Sequence, residues 1–281
     1  MIGTPPVRRR ILGAALRRYR ENLGYSLEEA AQVLGCDRSK ISRIETARRG
    51  IRPTELRDLL AEYGADEPEQ RALASLADPR ADRGWWQDYA DVLPEVTREH
   101  LIIEAMAAQI LIYDSQRIPD LLQTTQYTHA IVSADPTIPA PLQDKVVEAG
   151  LVRQRAVLAR ENLSLAVVMG EGALRQEVGG DEVMRRQLSH LVTISEQRAD
   201  LTLQVLPFTS GAHAAGTGPV TVLRLAQPPG LGMVHLPGLS GGTILEGQSD
   251  VATYFQAFTQ LQASALSPLA SARFLREMAR F

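Results

Sequence analysis

Apolar residues recur at helical spacing from the start of the chain. Leu12, Ala15, Leu16, Tyr19 and Leu23 fall on one face of a first helix, with Arg8, Arg9 and Arg10 at its start and Arg17, Arg18 and Arg20 along it. Ser26 followed by Glu29 has the form of a capping box, in which each residue satisfies a free amide of the other. Leu27, Ala30, Ala31 and Leu34 then make one apolar stripe, ended by Gly35, which can take a positive φ. Asp37 restarts helix as a second N-cap, and Ile41 and Ile44 supply the buried face of the next segment. Pro53 and Thr54 open a fourth, whose stripe is Leu56, Leu59, Leu60 and Tyr63, closed by Gly64. Residues 64–84 are acidic and interrupted by Pro79, which predicts a closing helix and a hinge over 79–84.

Two short helices joined by a Gly turn and braced on both sides form a helix-turn-helix. Leu27, Ala31, Leu34, Gly35, Cys36, Asp37, Ser39, Ile41, Ser42, Ile44 and Glu45 follow the order of the pattern L-x-x-x-A-x-x-L-G-V-S-x-S-x-I-S-x-I-E. Residues 8–64 thereby resemble the Xre family of phage-repressor-like DNA-binding domains. That resemblance implies that the helix beginning at Arg38 enters the major groove of double-stranded DNA. With Ile41 and Ile44 turned inward, Arg38, Ser39, Lys40, Ser42 and Arg43 are left to face bases. Arginine and lysine donate to guanine O6 and N7, and serine serves base or phosphate. Arg48 and Arg49 beyond the helix, Arg17 on the first helix and Ser26 at a helix start are the candidates for phosphate. Arg43 has an alternative in a neighbouring carboxylate, and the run Arg8–Arg10 in plain solvation. Glu45 reads as an intradomain ion pair or cap, not a base reader. Leu27 and Arg38 stand where the family often has Gln, so its operator sequences do not transfer.

Beyond the hinge, Trp85, Trp86 and Tyr89 read as a packing nucleus, with an aromatic wall for a ligand as the sharper alternative. Helix is predicted through "EHLIIEAMAAQILIYDS". Helical and strand-like runs then alternate, and two helices close the chain. The pattern predicts an all-α first domain of about five helices over 1–78. An α+β domain follows over 85–281, with a small, mainly antiparallel sheet of about three to five strands. "GWWQDYADVLP", "IYDSQRIPDLLQTTQY", "VRQRAVLAR", "GEGALRQEVGG" and "LTLQVLPFTSGAHAAGTGPV" stand in order here. They resemble the uncharacterised C-terminal domain of many actinobacterial Xre-type regulators, described as antitoxin-like. The chain departs from that domain in having Asp120 after Pro119 and Gly150 where Arg is frequent.

Charge changes the picture by its distribution. The net of -3 divides into 13 cationic and 8 acidic residues over 1–64, and 17 against 25 over the rest. One basic segment on an acidic remainder points to a polyanion met only by the first domain. The single Cys36 excludes an internal disulfide and reads as a small buried thiol. No apolar run approaches a membrane span, so a cytoplasmic, nucleoid-associated protein with no membrane partner is expected. The five His residues show no metal spacing, and no nucleophile elbow or phosphate loop is present. Neither metal, cofactor nor enzymatic activity is expected. "TSGAHAAGTGPV" reads as a strand-to-strand connection carrying His213; Arg153 and Glu171 are candidate polar groups for a ligand or partner, paired with each other. These readings converge on a sequence-specific transcriptional regulator acting as a homodimer. Its C-terminal domain would receive a small effector or, as the resemblance implies, a small companion protein. The alternative is an antitoxin-like protein that neutralises a small partner and binds DNA only for autoregulation.

Overall fold

The computed structural model describes residues 5–214, 218–238 and 241–279. Five helices make the first unit: α1 (Val7–Asn22), α2 (Leu27–Val33), α3 (Arg38–Glu45), α4 (Pro53–Glu62) and α5 (Glu67–Ala77). Val7, Ile11, Leu12, Ala15 and Leu16 of α1 bury against Ala30 and Ala31, Ile41 and Ile44, and Leu56, Leu59 and Leu60. Leu23 departs from the stripe expected of it; it caps α1 at the C-terminal end and is exposed. The capping box of Ser26 and Glu29 forms in both directions, Asp37 caps α3, and Gly35 takes φ +57°. Gly13 allows α1 and the end of α3 to touch: a Cβ there would lie 2.6 Å from the Glu45 carbonyl. Cys36 is half-buried rather than fully enclosed.

The predicted hinge is stitched to α1. Arg8 donates to both carboxylate oxygens of Asp82, at 2.7 and 2.6 Å, and to the Leu76 carbonyl at 2.9 Å. The Trp86 indole N–H donates to the Asp82 carbonyl at 3.2 Å. Short 3-10 turns occupy Pro79–Asp82 and Trp85–Tyr89.

The second unit begins with α6 (Glu95–Met106) and β1 (Gln109–Asp114). The continuous helix expected here breaks at Ala107, whose ψ of 136° turns the chain into strand. Two right-sized crossovers follow: α7 (Thr125–Ala134) and α8 (Gln143–Leu158) lead to β2 (Ser164–Gly170), then α9 (Glu171–Arg175) and α10 (Asp181–Gln197) lead to β3 (Leu201–Leu206). The last strands are β4 (Val220–Arg224), β5 (Gly232–Leu236) and β6 (Thr243–Leu245), before α11 (Gln248–Ser264) and α12 (Pro268–Met278).

The sheet corrects the expectation of a small antiparallel one. It has six strands in the order β3-β2-β1-β4-β5-β6. β1, β2 and β3 run parallel, while β4, β5 and β6 are antiparallel to their neighbours. Helices cover both faces, as parallel strands require. Ile110, Ile112, Val167, Met169 and Leu203 point into a core shared with Leu191 of α10 and Leu275 of α12. Leu111, Tyr113, Val168, Val222 and Val234 point the other way, onto Val251, Phe258 and Leu261 of α11. "TSGAHAAGTGPV", expected to connect two strands, falls between β3 and β4, with residues 215–217 outside the described ones.

Candidate nucleic-acid interface and the C-terminal cleft

α3 presents its polar side outward because Ile41 and Ile44 are taken into the core. Asp37 accepts the Ser39 amide at 3.0 Å, which fixes the helix start and turns Arg38 to solvent. Arg38 has 70% of its side chain exposed and pairs with Glu28 of α2, at 3.0 Å. Arg43 is also exposed and lies back along its own helix, donating to the carbonyl and hydroxyl of Ser39 at 3.1 Å each. Ser42 is half-buried, its carbonyl accepting the Thr46 hydroxyl. Arg48 and Arg49 are exposed directly beyond α3, after Ala47, a buried residue held at φ +59°.

Lys40 is the exception, and it corrects the expectation of a base reader. Its ammonium meets Glu55 of α4 at 2.7 Å with only 15% of the side chain exposed. That hydrogen bond holds the Glu55 carboxyl below its usual range. Lys40 therefore braces α3 against α4. The Ser26 hydroxyl is engaged with Glu29 in both directions, and Glu28 and Glu29 place negative charge at that helix start. Arg17 pairs with Glu21 one turn on, at 2.7 Å and well exposed.

Behind α3 lies a buried tie that sequence reasoning assigned only in kind. Arg20 of α1 grips Glu45 bidentately at 2.6 and 2.8 Å, with 10% and 5% of the two side chains exposed. The hydrogen bond to Glu45 raises the Arg20 pKa. This pair fixes the C-terminal end of α3 to α1.

The second polar cluster sits where the sheet changes from parallel to antiparallel, beyond the ends of β1 and β5. Arg153 of α8 donates to both oxygens of Glu104 in α6, at 2.9 and 2.6 Å, and to Asp120 at 3.4 Å. Glu171, expected to pair with Arg153, is elsewhere: it accepts the Phe208 amide at 2.9 Å and bonds Arg175 at 2.6 Å. Arg153 lies within α8 whereas Glu171 follows the end of β2, and each is taken by other partners, so the pairing expected of them does not form. Burial alone pushes Glu104 up, but the Arg153 guanidinium and the His100 hydrogen bond overcome it and hold the carboxyl far below its usual range. His100 Nε2 lies 3.2 Å from Glu104, while its Nδ1 is buried with no hydrogen-bond partner among the described residues. The His235 ring packs against His100 with centroids 4.9 Å apart. Burial, with His100 adding to it, lowers its pKa to about 4.

This cluster floors a cleft of two lobes. One lobe of about 470 Å³ is walled by apolar side chains of the α6–α8 layer, with Trp85 on its rim; the other, about 220 Å³, holds His100 and His235. Arg117, Asp120 and Arg153 line both. Trp86 and Tyr89 are buried, so the aromatic block divides: those two pack, and Trp85 alone reaches the cleft. His213 lies apart beside Tyr113, its Nε2 3.5 Å from the hydroxyl, in a separate pocket of about 410 Å³ with Glu171. The sequence signal for the main cluster was the i, i+4 spacing of His100 and Glu104 on one helix; Arg153 had none, since its contact is long-range. Among the described residues, no group of three His, Cys, Asp or Glu is placed to hold a metal ion. No described helix is long and apolar enough to cross a membrane.

The geometry of α2, its turn and α3 defines a helix-turn-helix protein with an appended α/β domain. Residues 11–73 match the family described as Helix-turn-helix domain, which supports DNA binding and regulation of transcription. Residues 97–277 match the family described as Domain of unknown function (DUF5753), and the chain belongs to that family. No curated protein and no solved structure matches it.

Proposed function

We propose that the protein is a sequence-specific transcriptional regulator that binds its operator as a homodimer and receives a signal through its C-terminal domain. The observation that carries this reading is the outward face of α3. Arg38, Ser39 and Arg43 lie on it with no buried partner to hold them, and Arg48 and Arg49 follow at its end. A guanidinium that gives up an exposed carboxylate can take a guanine edge instead, at small cost. A single helix-turn-helix covers one short half-site, so two copies on half-sites about one helical turn apart supply operator affinity. The reading assigns the chain no catalytic role.

Selection of fragments from the source genome by the purified chain tests it. Enrichment of a few fragments carrying inverted half-sites is the expected result. Retention of all fragments no better than random duplex overturns the proposal.

A further inference from the structure

α6 is a two-faced helix. On one face Thr97, His100 and Leu101 line the cleft. On the other, Glu99 accepts the Val7 amide at 3.0 Å. That amide opens α1, whose preceding residue Pro6 offers no side-chain cap. α1 in turn holds α3 through Arg20 and Glu45 and through the close approach at Gly13. A continuous run of packed, hydrogen-bonded groups thus leads from the cleft to the outward face of α3.

The cleft also specifies what it would hold. The walls of its larger lobe are largely apolar and of a size that suits a small molecule, and the adjoining smaller lobe carries His100. Its charges are matched inside the protein: Arg153 with Glu104, and Arg117 beside Asp114 and Asp120 at 3.8 Å each. The two guanidiniums face three carboxylates, so among the described lining residues neither cation is left free to hold an anion. Of the buried polar atoms left without a partner among the described residues, one belongs to the cleft lining, His100 Nδ1. A buried ring nitrogen without a partner is costly, and a ligand that satisfies it is rewarded by that amount. A hydroxyl both donates and accepts, so it answers Nδ1 whichever nitrogen carries the proton.

We infer that the cleft between α6, α8 and the β1–β4 junction is the binding site for a small, non-anionic, hydroxyl-bearing apolar effector, which contacts His100 and acts on α3 through α6 and α1. This deepens the signal-receiving role proposed above, and its effect on DNA rests on that reading; binding to the cleft does not.

Three probes of one size separate the chemistry: 2-naphthol, 2-methoxynaphthalene and naphthalene-2-carboxylate, titrated calorimetrically into the full chain without DNA. 2-Naphthol is expected to bind, with the carboxylate at least about tenfold weaker and the ether between them. Gly150→Leu is the blocking variant. Gly150 lies in α8 on the cleft wall, and a Cβ there meets only Thr128 Cγ2 at 3.7 Å, so the added side chain is accommodated at the backbone and fills the lobe. This variant is expected to abolish binding, whereas His100→Phe is expected to reduce the preference for hydroxyl over ether to less than about twofold. Failure of 2-naphthol to bind, or equal binding to G150L, overturns the site. The second arm measures affinity for a selected genomic fragment with and without 2-naphthol. A change of about threefold or more in the natural chain, absent in G150L, supports the route through α6; an unchanged affinity with the cleft filled overturns that route alone. If no fragment is selected at all, the regulator reading fails while calorimetry still decides the cleft.

Discussion

Arg38 and Arg153 are the same side chain put to opposite uses. Arg38 meets Glu28 at the surface, with 70% and 55% of the two side chains exposed; Arg153 meets Glu104 with 17% and 2% exposed. In water the first pair is worth little and exchanges partners freely. Away from water the second holds α8 to α6, and neither member can leave without stranding the other. Availability for DNA is therefore a property of surroundings, not of residue type. Lys40 makes the point within α3 itself, where a cation two positions from Arg38 is claimed by Glu55.

The strongest way to break this contrast is to remove one acid from each pair. Glu104→Gln should cost about 3–5 kcal/mol of unfolding free energy, because Arg153 stays buried with only the longer contact to half-exposed Asp120 to balance it. Glu28→Gln should stay within about 0.5 kcal/mol. Urea denaturation measures both, and equal losses would erase the distinction. Next comes acidification. His235 holds its folded pKa near 4, below the ~6.5 of an unfolded chain, so the unfolded state takes the proton first. Its contribution is complete above pH ~6.5, falls as pH drops through that window, and changes no further below about 4. His190, also lowered by burial, works in the same direction. Thermal melts across pH 7 to 4 should show a steeper fall for the natural chain than for His235→Phe.

Arg38→Ala and Arg43→Ala sharpen the exposed side of the comparison. Each should weaken binding to a selected site by about 1–3 kcal/mol and relax base preference, with folding stability nearly unchanged. Fluorescence anisotropy on selected and scrambled duplexes distinguishes that from a uniform loss, which would deny base reading. Smallest of all, Arg17→Ala should cost about 0.3–0.5 kcal/mol of stability through its exposed contact with Glu21, measured by the same denaturation.

The first domain was legible because its signals are local. Ser26 and Glu29, Gly35, Asp37, and the pair Ile41 and Ile44 each act within a few residues, and the structure uses them as their spacing implies. The second domain was legible only as an alternation of helices and strands, and its sheet was not, for a physical reason visible in β1. Ile110, Leu111, Ile112 and Tyr113 are all buried, since a strand covered by helices on both faces loses the alternation that marks it. Following an apolar helix, such a run reads as more helix. The parallel pairing of β1 with β2 depends on a crossover of two helices, which no local pattern encodes. Among site residues the same divide holds. Glu45 announced an internal role, but the partners of Lys40 and Arg153 lie 15 and 49 positions away and are fixed only by tertiary packing.

The internal claims on cations change how the basic segment should behave toward DNA. Arg8 and Arg10 are bound to Asp82 and Glu246, Arg20 to Glu45 and Lys40 to Glu55. The tip of α3 and the turn after it offer Arg38, Arg43, Arg48 and Arg49. Each phosphate neutralised contributes about -0.9 to the slope of log affinity against log salt concentration. With those four as its contacts, one copy would displace few counterions from the duplex and should hold it loosely at cellular ionic strength. In the homodimer proposed above a second copy would double the slope, and protein concentration and salt would then act as one coupled control on occupancy.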